Sequence, residues 1–414
     1  MNRTDKRYIN YVQILKEELV PAMGCTEPIA IAYAAAKARE VLGCLPDQVK
    51  IEVSNNIIKN VKSVVVPNTA GLKGIEAAAA AGIVGGRADK LLEVISEVTD
   101  QQKEEMKTFL EEIPVEVCAV DNGMIFDIII TIYHEGESAK VRICQYHTNI
   151  VYVEKNGSVL YDVNLQRQEG QEEAELSEEK KQKEAELSEE RRQGEAELSK
   201  EIGLADKTLL NMKDIIEFAD TCHIEDVKAV LDMQIQYNSL IAEEGLLGDY
   251  GANIGSTFLK FYGYDVRNRA IAKAAAGSDA RMSGCEMPVV INSGSGNQGI
   301  TVSVPVIEYA KELSVSKEKL YRALVISNLI AVHEKTGIGR LSAYCGAVSA
   351  GCAAGCGIAY LQGGGYEELA HTLVNSLAIV SGIICDGAKP SCAAKIASSV
   401  ATSWSSISSR RGAS

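Results

Sequence analysis

An α+β fold, mostly helical with a smaller α/β unit set inside it, is what this sequence predicts, and three observations carry the prediction. Apolar residues recur at helical spacing from residue 5 to 44 and again from residue 204 onward. Between them, from Val49 to about Leu165, the period changes to the alternation and β-branched runs of strands. Ala and Gly abound while aromatic residues make up only 5% of the chain, a composition suited to closely packed helices.

The N-terminal helical stretch is interrupted near Pro21. Tyr8, Tyr11, Val12, Leu15 and Leu19 share one face, PAMGCTEP breaks the pattern, and IAIAYAAAKAREVLG resumes it. Cys25 falls at that break, just ahead of a helix whose Pro28 suits a first turn. The helix dipole and free backbone N–H groups there are expected to favour thiolate and make Cys25 reactive; a buried junction thiol is the bland alternative. VKIEVSNN and KSVVVP then read as strands, followed by an Ala-rich helix, a charged helix from Lys90 to Glu112, and a strand meander through VEVCAV, MIFDIIITIYH, AKVRICQYH and NIVYVEKNG. Antiparallel strands with short turns suggest an open sheet with helices on one face.

Residues 171–200 are different material. An 11-residue unit places Ala174, Ala185 and Ala196, and Leu176, Leu187 and Leu198, in register, which is close to helical phase. Two small apolar residues per unit cannot build a core, so an exposed helix, a linker or a partner-binding coiled coil is expected there. From Leu204 onward the reading is helical with Gly-rich breaks. The expected divisions are residues 1–46 (helices joining the C-terminal helical unit), 47–166 (a small α/β domain), 167–201 (the charged repeat) and 202–414 (an all-helical domain).

Composition excludes several roles. A net charge of −14, part of it on the repeat, and few aromatics argue against nucleic acid. The start is polar and amphipathic without an apolar signal region, and eleven scattered cysteines do not resemble a secreted disulfide framework, so a reducing cytoplasm is expected. Residues 341–366 carry no charge and are long enough to span a bilayer. Their Gly, Ala, Ser and Cys content would insert poorly, which favours helices buried in a protein interior.

The chemistry concentrates between Gly337 and Lys395, where five of the eleven cysteines lie. Cys352 and Cys356 are four apart in a helical run and suit core packing. Cys345 lies near the end of a loop, and Cys385 and Cys392 bracket DGAKPS, which Gly387 and Pro390 keep from being regular helix. No CxxC zinc knuckle is present. Three thiols on two loops better suit a cluster that leaves one iron open. The loop Ser293, Gly294, Ser295, Gly296, Asn297, continuing through Gln298 to Gly299, has the small residues that let backbone N–H groups converge on an anion, though such loops are common.

Taken together, PAMGCTEP, SGSGNQG, EKTGIGRLSAYCGAVSAGC and ICDGAKPSC resemble the L-cysteine desulfidase family, relatives of the iron–sulfur L-serine dehydratases. The resemblance covers about residues 5–165 and 202–400; the repeat and the ending after Val400 depart from it. It implies a [4Fe–4S] cluster without pyridoxal phosphate, a small amino-acid substrate, and cluster ligands Cys345, Cys385 and Cys392. It implies a catalytic role for Cys25, as base or labile ligand; for substrate binding the candidates are Ser293 to Asn297, in a loop whose backbone N–H groups through Gly299, with the Asn297 side chain, would hold the carboxylate. Glu27, His333, Lys335, Arg340 and Lys389 are secondary candidates, each as readily a salt-bridge residue. Elimination of hydrogen sulfide from L-cysteine is the expected reaction. L-serine dehydration and a non-enzymatic thiol-rich metal or redox protein are the alternatives. No membrane or nucleic-acid partner is expected, and a homo-oligomer is left open.

Overall fold

The structure, a computed structural model, describes residues 1–163, 205–339 and 342–411, the side chains of 408–411 excepted. The charged repeat and Arg340 lie outside the described residues. The architecture is α+β, with one mixed sheet of six strands, a two-stranded ribbon, and helices making up the greater part.

The chain opens with α1 (Lys6–Glu18), β1 (Pro21–Met23) and α2 (Thr26–Leu42). Asp5 caps α1 by accepting from the Arg7 N–H, so the helix begins where the first polar capping residue stands. The two N-terminal helices then part. Tyr8, Tyr11, Ile14 and Leu15 of α1 join the core of the C-terminal helices, whereas Ile29, Ile31 and the alanines of α2 pack over the sheet.

That sheet runs β3-β2-β4-β5-β6-β7, from β2 (Gln48–Ser54), β3 (Val115–Val120), β4 (Asp127–His134), β5 (Glu137–Cys144), β6 (Ile150–Lys155) and β7 (Ser158–Asp162). Only the β2–β3 pair is parallel. Its crossover carries α3 (Asn55–Val61), α4 (Gly74–Gly85) and α5 (Asp100–Glu112). Alternation decides which face is buried: Val49, Ile51 and Val53 pair with Ile132, Ile130 and Ile128, and all six are 0% exposed. α2 and α4 cover that face.

The expected strand over KSVVVP is not formed. α3 follows directly on β2, and Val64 and Val66 are buried in a turn closed by a single Val65–Lys73 bridge, so the run is β-branched because it fills core space. The charged helix begins at Asp100, not Lys90: a short turn precedes it with Leu91 at φ +50°, and Thr99 forms a capping box with Gln102. Strand β7 and the ribbon pairing β1 with β8 (Pro288–Val290) are too short to stand out as periodic sequence.

The helical part comprises α6 (Met212–Thr221), α7 (Lys228–Leu247), α8 (Ile254–Tyr262), α9 (Val266–Met282), α10 (Gly296–Glu312), α11 (Lys317–Ile338), α12 (Gly346–Leu361), α13 (Tyr366–Val380) and α14 (Ser391–Arg411). α10 and α11 split what reads as one helix, because Ser314 takes φ +49° and Ser316 caps α11 through Lys319 N–H. α12, the uncharged run, is the central helix, flanked by α10, α11, α13 and α14. Among the described residues no helix is long and apolar enough to cross a membrane. The segment after Val400 continues α14 as helix.

Small residues let these helices approach. A Cβ on Gly351 would lie 2.1 Å from Ser399 Oγ, so α12 and α14 touch at a site with no room for a methyl group. Gly351→Val should therefore lower unfolding free energy by about 1–3 kcal/mol, the usual cost of overpacking, read as a reduced urea midpoint. An unchanged midpoint would contradict the tight contact.

Candidate functional site

Two distant motifs are brought together by the ribbon. Pro21, Ala22 and Met23 pair antiparallel with Val290, Val289 and Pro288, and Ile291 N–H extends the ladder to the Val20 carbonyl at 3.0 Å. Immediately beyond, Thr26 Oγ1 donates to the Gly294 carbonyl at 2.7 Å. The loop from Ser293 to Ser295 then feeds α10, with Ser293 at φ +50° and Gly294 at +79°. A non-glycine residue in that region persists only where its surroundings hold it. Here the hold is a buried amide network: Asn238 exchanges both hydrogen bonds with the Val290 backbone (2.8 and 3.0 Å), and Asn292 donates to Asn328 Oδ1 at 2.9 Å.

Against this loop lies a cleft of about 740 Å3, counting its open mouth. Ser293, Gly294, Ser295 and Asn297 line it, as do Cys345, Cys385 and Cys392. Gly296 does not; it lies beneath the Arg281 side chain. Of the secondary candidates, Glu27 and Lys335 line the cleft, whereas His333 and Lys389 do not. Gln298 of the same loop as Asn297 also lines the cleft, while sequence reasoning missed Lys59, Asn60, His147, Arg281 and Tyr344. Asn60 donates to Glu27 Oε1 at 3.2 Å, while its own Oδ1, like that of Asn297, is buried without a hydrogen-bond partner. Lys59, Asn60 and His147 come from the sheet-bearing segment, so the cleft is built from both parts of the chain.

Each cysteine is placed by a chain break. Cys345 is the N-cap residue of α12, and Cys392 is the second residue of α14. Cys385 follows the Tyr344–Ile384 bridge, its N–H bonded to the Ala343 carbonyl at 2.7 Å. The thiols of Cys345 and Cys385 are close enough to shift one another. Interaction with the Cys345 thiol, with help from the Gly387 backbone and the charges of Lys59 and Lys395, lowers Cys385 against the opposing effect of burial. The same interaction, then burial, pushes Cys345 up, and burial raises Cys392. Cys352 and Cys356 sit at 0% exposure inside the helical core, away from the cleft.

Cys25 does not line the cleft. It lies behind it at 1% exposure, clustered with Val64, Met282 and Cys392, its Sγ 3.9 Å from Met282 Sδ. The expectation that the helix start would favour thiolate is overturned. Burial, aided by the charges of Glu27 and Cys392, pushes the thiol to about 12, and the Arg281 charge offsets only part of this.

Could these residues hold a metal group? Among the described residues no three His, Cys, Asp or Glu side chains converge closely enough for a single ion. Three thiols nevertheless face one cleft. Soft donors around a shared space, rather than around a point, fit an iron–sulfur cluster better than a lone zinc.

The serine dehydratase alpha chain family model matches residues 89–409. The chain belongs to that family. It is 60% identical over 400 residues to a UPF0597 protein of Desulfitobacterium hafniense, covering 97% of this chain and 86% of the relative. It is 51% identical over 393 residues to one from Lachnoclostridium phytofermentans (95% and 87% covered) and 46% identical over 407 residues to one from Treponema denticola (97% and 87%). The family is one of lyases related to the iron–sulfur serine dehydratases.

The Thr26–Gly294 bond is the most economical test of this geometry. Thr26→Val should leave a buried carbonyl without its donor and cost about 1–3 kcal/mol in urea unfolding, while Thr26→Ser should keep most of the stability. Equal losses in both variants would show that the methyl group, not the hydroxyl, matters.

Proposed function

We propose that this protein is an iron–sulfur lyase that removes the β-substituent of a small L-amino acid, releasing hydrogen sulfide from L-cysteine; L-serine, losing water, is the other substrate open to the same chemistry. The observation carrying the proposal is the meeting, on one cleft, of three cysteine thiols and the Ser293–Asn297 helix-start loop in a chain of the serine dehydratase family.

Cys345, Cys385 and Cys392 would hold a [4Fe–4S] cluster, which when bound supplies a Lewis acid for the departing thiolate or hydroxyl. The remaining tasks fall to the chain itself. Backbone N–H groups at the start of α10, with the Asn297 amide, orient the substrate beside the thiols. The weakly acidic α-proton goes to Cys25, which the Arg281 charge helps to ionise and burial opposes. The Cα–H electron pair forms the double bond as the Cβ–S bond breaks, giving aminoacrylate and hydrosulfide, and the proton taken up by Cys25 passes to the hydrosulfide, which leaves as hydrogen sulfide. Aminoacrylate then tautomerises and takes up water, without further help, to give pyruvate and ammonia.

Protein purified without oxygen should be brown, with broad thiolate-to-iron absorption near roughly 400 nm. Ala at Cys345, Cys385 or Cys392 should bleach it, and Cys25→Ala should abolish pyruvate release while keeping most of the colour. Pyruvate assays with L-cysteine and L-serine rank the two substrates. Folded anaerobic protein free of iron and sulfide would end this reading.

A further inference from the structure

Arg281 is a buried cation with no anionic partner among the described residues. It stands in the last turn of α9 and is 3% exposed. Its Nε donates to the Gly24 carbonyl at 2.9 Å, which fixes the side chain beside Cys25. Its terminal nitrogens make no hydrogen bond to the described residues, and no described carboxylate lies within ion-pair distance of it. The side chain lines the cleft.

The packing around it is built for close approach. The guanidinium lies over Gly296, where an added Cβ would come within 2.3 Å of Nε and 2.7 Å of Cζ. Only glycine at that position lets the flat cation sit against the first residue of α10. Backbone N–H groups of the α10 start and the free edge of the guanidinium therefore border the same end of the cleft, and both favour negative charge. A nearly buried guanidinium is costly unless an anion meets it, and its planar fork suits a carboxylate held through two parallel hydrogen bonds.

We infer that Arg281 is the anchor for the substrate α-carboxylate, with the Ser293–Asn297 loop completing the anion site. The inference rests on the lyase reading only for the anion's identity as that of an amino acid. A carboxylate held here places the amino acid in the cleft that the cysteine trio lines. It makes Arg281 a substrate-binding residue, and the Gly24 carbonyl its positioning contact.

The test uses a ligand that cannot react. L-alanine has the carboxylate and amine of the substrate but no leaving group, and L-alaninamide lacks the carboxylate. Anaerobic full-length protein, assayed by calorimetry and thermal shift, should bind L-alanine roughly tenfold or more tightly than L-alaninamide, as charge-assisted hydrogen bonds predict. Arg281→Gln should erase that preference while keeping wild-type iron and sulfide. Arg281→Lys, which keeps the charge but not the fork, should retain part of it and serves if the Gln variant does not fold. Wild-type protein that does not distinguish the two ligands would overturn the inference, as would a folded Arg281→Gln protein with undiminished preference. A variant that loses iron but keeps the preference would assign the guanidinium to the cluster and likewise overturn it. If wild-type protein releases no pyruvate from any amino acid yet prefers L-alanine, and loses that preference in Arg281→Gln, the lyase reading falls and the anchor stands.

Discussion

The β1–β8 ribbon is the constraint on which the cleft depends. Its strands are three residues each, too short to persist alone. They survive because Ala22, Val289 and Val290 are fully buried and because Asn238 supplies a donor and an acceptor to Val290, on a strand with no second neighbour among the described residues. Through this ribbon the GCTE and SGSGN motifs meet, although more than half the chain separates them in sequence. The Thr26–Gly294 and Arg281–Gly24 hydrogen bonds then lock the loop on one side to the helix start on the other. Pairing over such a separation carries a loop-closure cost, so the cleft is expected to form late, after the sheet and helices have their own cores.

Electrostatics in the cleft are set by burial as much as by charge. Cys25 stands at a helix start with a guanidinium nearby, two features that favour thiolate, and it is nonetheless pushed to about 12 by the apolar packing of Val64 and Met282. Cys385, less buried and set beside the Cys345 thiol, is driven the opposite way. At Cys25 a single charge at a distance does not repay full desolvation.

Much of the site was legible in the sequence because chain breaks are legible. Gly387 and Pro390 forbid helix between Cys385 and Cys392, and the glycines near 337–339 free Cys345 from the preceding helix; all three thiols reach the cleft. The SGSGN loop was recognisable as a helix start for the same reason. What escaped was everything decided by tertiary contact. Arg281, at the C-terminal end of an Ala-rich helix, reads as an ordinary solvated cation at the negative end of a dipole. Only the Gly24 carbonyl and the bare Cα of Gly296 reveal that it turns inward. Lys59, Asn60 and His147 escaped because they lie in the sheet-bearing segment, whose composition announces a fold and no chemistry. KSVVVP misled for the converse reason: a β-branched run fits a buried turn as well as a strand, and periodicity does not separate the two.

The same tertiary logic links the least informative part of the sequence to the most informative. The ending WSSISS looks too polar for a core helix, yet the buried hydroxyls upstream show how such a helix is accommodated. Ser399 and Ser403 donate to the carbonyls of Ile396 and Val400, three residues back in their own helix, so they enter the interior satisfied. Being small, they also fit against Gly351 and Gly355 of α12. These are the two helices whose starts carry Cys345 and Cys392. The Gly–Ser seam along their length therefore helps fix how far apart those two thiols stand, and it sets two positive helix ends beside them. Widening the seam by one methyl group would move a helix start along with its cysteine, which gives the serine-rich tail a part in setting the geometry of the site.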